Sequence, residues 1–88
     1  MSIYLAAGLH VLEDLFKAYD AIPWKERWAG AMTDDSVHEL ERQEYEWTVL
    51  FREAFWGATR DRNNRGHVNA MSIEDVRDMT AKLKKTTT

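Results

Sequence analysis

The sequence has no cysteine, one proline and four glycines in 88 residues. Without cysteine there are no disulfides and no thiolate metal ligands, and a reducing compartment is compatible. A single proline, Pro23, leaves long stretches open to helix. No run alternates apolar and polar residues with period two, so nothing reads as a strand. Nor is there an apolar run of the roughly 18 residues that a membrane span requires. The run from Ile3 to Leu12 contains His10, and Glu13 and Asp14 follow it at once. No basic region precedes it, so it does not read as a signal peptide. A cytoplasmic protein with no membrane partner is the expectation.

Positive charge is also in short supply. Twelve Lys and Arg face fifteen Asp and Glu, giving a net charge of −3 and a pI near 5.5. That balance argues against broad phosphate binding, though a local basic patch stays open. The length fits one small domain, 1–88, whose modest core makes added stability from partners common.

What is abundant is helical periodicity. At about 100° per residue, Val37, Leu40, Trp47, Phe51, Ala54, Phe55 and Ala58 fall in one arc of about 100°. This predicts a central helix over 33–61 with a core-facing stripe. Tyr45, Val49 and Trp56 form a second apolar set on other faces, so the helix should have more than one neighbour.

Residues 2–21 read as an amphipathic helix capped by Ser2. Leu5, Leu9, Leu12, Leu15, Phe16 and Tyr19 form its apolar face, widened by Val11. His10, Glu13, Asp14, Lys17 and Asp20 share the polar face. Gly8 lies near the apolar side, where a missing side chain admits a close neighbour. Pro23 ends this helix and opens a short one over 23–30, with Trp24 and Trp28 on one face.

Met32-Thr33-Asp34-Asp35 and Met71-Ser72-Ile73-Glu74 share a start signal. Each has a hydroxyl N-cap, acids in the first turn, and a Met positioned to staple onto Val37 or Val76. Ser36 and Glu39 offer a rival capping box. The last helix is expected over 72–84, with Ile73, Val76, Met79, Thr80 and Leu83 inward and a frayed Thr86–Thr88 tail. Residues 62–67 read as a polar loop. The expected fold is all-α, with three main helices and one short one.

Several residues could carry chemistry. His10 with Asp14, and His38 with Glu39 and Glu41, have spacings that suit a metal but sit on ordinary solvated faces. Glu44 falls inside the apolar arc and must pair, protonate or reach an edge. An Arg or an indole N–H is the expected partner. Glu41-x-x-Glu44 and Asp75-x-x-Asp78 resemble the paired acidic motifs of all-α nucleotide pyrophosphohydrolases, with Asp where that family has Glu. The resemblance implies Mg²⁺ held between helices and water activated at a phosphate. Asp35-Ser36-Val37 resembles the attachment site of acyl carrier proteins, which implies a carrier role for Ser36. Arg60, Arg62, Arg65 and His67, with Asn63 and Asn64, make a basic loop near Trp56 that could contact a single-stranded nucleic acid.

The reading taken forward is a protein–protein interaction module, binding a second copy or another protein by burial of the central helix. Its anchors would be Trp56, Arg52 and Arg60, with Tyr45 and Val49 beside them, because Trp and Arg are enriched in binding hot spots. Trp56 packing into the core is the competing reading. Enzymatic activity, a metal and a cofactor are not expected. The hydrolase and the nucleic-acid protein are the alternatives, and a phage or mobile-element origin is a guess without a motif.

Overall fold

The computed structural model describes residues 3–60 and 65–87. They form α1 (Ile3–Ala21), α2 (Trp24–Ala29), α3 (Asp34–Thr59), α4 (Arg65–Asn69) and α5 (Ile73–Thr87), with no strand among them. The fold is small and all-α. No described helix is long and apolar enough to cross a membrane.

Helix α3 is the spine. Its 26 residues span about 39 Å, most of the 47 Å length of the molecule. Thr33 caps it, its hydroxyl accepting the Ser36 N–H at 3.1 Å, while Asp34 and Asp35 complement the helix dipole. The rival box at Ser36 is not used, since that hydroxyl pairs with Thr33.

Helix α1 runs antiparallel to α3. Phe16 stacks on Phe51 with ring centroids 4.4 Å apart, and Tyr19 meets Trp47 edge-on at 5.6 Å. At the other end Gly8 lies on Ala58; a Cβ on Gly8 would overlap the Ala58 side chain and come within 2.7 Å of its Cα. The close approach expected at Gly8 is therefore made. Helix α5 is also antiparallel to α1, because Asp20 pairs with Arg77 and Glu13 with Lys84. Helices α3 and α5 consequently run the same way.

The core joins Leu5, Leu9 and Leu12 of α1 to Phe51 and Phe55 of α3 and to Val68, Met71, Ile73 and Val76. Phe51 and Val76 are fully enclosed. The stripe of α3 is buried at Leu40, Phe51, Phe55 and Ala58 and half-buried at Val37, Trp47 and Ala54. Two buried threonines fit because each hydroxyl donates one turn back, Thr59 to the Phe55 carbonyl and Thr80 to that of Val76.

Some expectations are corrected. Residues 62–67 are not all loop: Arg65, Gly66 and His67 open α4, and the fold has a fifth helix. The burial of Val68 supplies its reason, since one apolar residue docks the turn onto the core. Val11 does not widen the buried face of α1 and is 50% exposed, being about 100° around the helix from Leu12. Thr86 is helical rather than frayed, its hydroxyl donating to the Leu83 carbonyl. Pro23 is the N-cap of α2 rather than its first residue. The two Met start signals also diverge: Met71 is buried beside Val76, but Met32 is 85% exposed and its staple is open. Ser2, Asp61, Arg62, Asn63, Asn64 and Thr88 lie outside the described residues.

Candidate functional site: the uncovered half of helix α3

After α3 the chain doubles back along it. Arg65 of α4 pairs with Glu53 and places its guanidinium 5.4 Å from the Trp56 ring centroid. Two residues before α5, the Met71 carbonyl accepts the Arg52 Nε–H at 2.6 Å. Trp56 is half-buried and packs against the core from this side. Arg52 braces the α4–α5 connection, and Arg60 is exposed at the end of the helix. The three expected anchors, Trp56, Arg52 and Arg60, thus all interact within the chain.

Tyr45 and Val49 differ. Helical geometry places them within about 20° of Trp56 around α3, yet α4 does not reach them. Tyr45 is 65% exposed and Val49 38%. Leu50, which periodicity puts outside the core stripe, is 49% exposed on the flank between that stripe and this face. Sequence reasoning did not single out Leu50, although its gap of 40° from the edge of the stripe was readable.

Acidic side chains flank this bare stretch. Asp34, Asp35, Glu39, Glu41, Glu44 and Glu46 occupy the first half of α3, with Arg42 as the one cation. Arg42 bridges Glu39 and Glu46, and this holds the Glu39 carboxyl below its usual range. Glu44 is half-buried and its Oε1 accepts the Trp28 indole N–H at 2.8 Å. The odd carboxylate of the apolar arc is thus satisfied by a ring N–H, one of the two partners expected for it. It also pins α2 to α3, while Trp24 ties α2 to α1, its indole N–H donating to the Tyr19 carbonyl.

The other motifs have local structural roles. Asp75 and Ser72 form a reciprocal capping box: the Ser72 N–H donates to the Asp75 carboxylate and the Asp75 N–H to the Ser72 hydroxyl. The Ser72 N–H lowers the Asp75 pKa. Ser36 is held by Thr33. Among the described residues, no three His, Asp or Glu side chains gather where they could hold a metal. A groove of about 740 Å³ separates α1 from α5 over Phe16, Ala21 and Ala81. The Asp20–Arg77 and Glu13–Lys84 pairs bracket it, and those cations lower both carboxylate pKa values. Arg77 also stacks over Phe16, 4.5 Å from its centroid. The rim charges of this groove tie the two helices to each other.

Comparison with protein-family models, with curated proteins and with solved structures returns no match. The class of the protein, a small all-α fold, rests on its own geometry.

Proposed function

We propose that this protein is an interaction module that binds a protein partner through the uncovered first half of α3. The observation that carries the reading is the exposure of Tyr45 and Val49, one turn apart on a face that α4 covers further along the same helix. Exposed aromatic and aliphatic side chains with a polar surround match the centre and rim of a protein interface. Tyr is a frequent anchor, since its ring buries much area at little entropic cost. Trp56 and Arg52 support this surface from within, and Arg60 borders it.

The test compares the wild-type chain with a Tyr45→Asp, Val49→Asp double variant, each immobilised in a lysate of the source cells. Both substitutions are at exposed sites, so circular dichroism should show unchanged helix content. We expect proteins retained by the wild type and lost by the variant. Identical retention by both would sink the reading.

A further inference from the structure

Helices α1 and α5 are joined across their groove by a ladder of charges. Glu13 pairs with Lys84 at 2.7 Å and Asp20 with Arg77 at 2.8 Å. In each rung the acid stands on α1 and the base on α5. Residues 13 and 20, like residues 77 and 84, are seven positions apart, or about 10 Å. The register between the rungs is therefore fixed. Between them on α1, Lys17 also lines the groove. At that register it stands level with Thr80 and Ala81. Thr80 is buried and its hydroxyl donates to the Val76 carbonyl. Ala81 is exposed, lines the groove and ends at its Cβ.

The middle rung thus has a base and no acid. Lys17 makes no hydrogen bond or ion pair among the described residues. The two carboxylates that share the groove with it are taken by Lys84 and Arg77, and among the influences on Glu13 the charge of Lys17 is the smallest. Three cations and two carboxylates line the groove, so one positive charge there is unmatched. The surface between the rungs is mostly apolar, from Phe16, Ala21 and Ala81. Because the Thr80 hydroxyl is spent on the main chain, it offers a ligand no free donor. At about 740 Å³ the groove has the size of a small-molecule site, for which about 300–1,000 Å³ is usual.

We propose that this groove binds a small amphipathic monocarboxylate, whose head completes the middle rung at Lys17 and whose apolar body lies against Phe16, Ala21 and Ala81. The body must be apolar because polar groups on it would lose water and gain no partner. A dianion such as phosphate fits less well, since Glu13 and Asp20 flank the one unmatched cation. Tyr45 and Val49 do not line the groove, so the site does not depend on the interaction-module reading.

Naphthoate and decanoate are the probes, and naphthamide is the neutral control. Calorimetry on the wild-type chain should give saturable one-to-one binding of a carboxylate probe, with the amide weaker by about tenfold. Backbone amide signals in nuclear magnetic resonance should shift within 13–21 and 77–84. Two variants at exposed sites complete the test, and circular dichroism establishes that each is folded. Lys17→Gln removes the unmatched cation and should weaken carboxylate binding by about tenfold. Ala81→Glu supplies the missing acid from α5 itself, so it should exclude the carboxylate while leaving the melting temperature no lower. No saturable binding of either carboxylate at millimolar concentration would overturn the proposal. So would equal affinity for the amide, unchanged affinity in either variant, or signal shifts centred on another face.

Discussion

The indole N–H of Trp28 donates to the carboxylate of Glu44 at 2.8 Å, across sixteen residues of sequence. Helix α2 has no fully buried residue, so this bond and the tilted stacking of Trp24 on Tyr19 do much to hold it in place. Replacing Trp28 by Phe keeps the ring and removes the donor. The half-buried carboxylate then loses its partner, and unfolding in urea should show a loss of about 1–2 kcal/mol. Glu44→Gln keeps an acceptor for the same N–H and should cost less. Equal costs would mean that the bond does not fix α2.

Two glycines inside helices should respond in opposite directions to the same substitution. Gly8→Ala puts a methyl into Ala58, so α1 must move away from α3 and stability should fall despite better helix propensity. Gly57→Ala meets nothing within 4 Å and should gain up to about 1 kcal/mol from propensity alone. Thermal melts of the two variants should move apart, one down and one up.

Phe51 is fully enclosed and touches α1 through both Phe16 and Tyr19. Phe51→Ala should cost about 3–5 kcal/mol, a large share of the stability of a domain this small. Trp56 is only half-buried, and its outer face is shared with Arg65. Trp56→Ala should therefore destabilise the chain less than Phe51→Ala. Chemical denaturation followed by circular dichroism checks the order; a reversed order would make Trp56 the larger core residue.

Acid should weaken the tie between α1 and α5. Arg77 beside Asp20, and Lys84 beside Glu13, hold both carboxyls below their usual range. Their folded pKa values are thus lower than the unfolded ones. The associated stability is present above the unfolded values, around pH 4, and is lost as pH falls through the folded values. Both pairs are largely exposed, so the effect should be small. Asp20→Asn should reduce the acid dependence of the midpoint between pH 5 and pH 2, and an unchanged slope would remove Asp20 from the account.

Much of the fold was legible because periodicity and capping are local signals. The stripe from Leu40 to Ala58, the Thr33 and Ser72 caps and the packing role of Gly8 all follow from spacing. Helix α4 was not legible, because five residues are too few to show a period and Gly66 with Asn63 and Asn64 reads as a turn. The bare half of α3 was legible only in part. Tyr45 and Val49 stand off the core stripe in any helical projection, but so does Trp56. What separates them is where the chain goes after Thr59, and that is set by Arg65, Val68 and Met71 meeting residues far away in sequence.

The open staple at Met32 has a chemical consequence. The thioethers of Met32 and Met71 can each be oxidised to a polar sulfoxide, but access decides which of the two reacts first. Met71 is buried in the core, whereas Met32 is 85% exposed just before the acidic half of α3. A dilute peroxide should thus convert Met32 while the core methionine stays intact. The chain carries, at the edge of its barest surface, an apolar group that oxidants can turn polar and that reductases can turn back, with no cost to the fold beneath it.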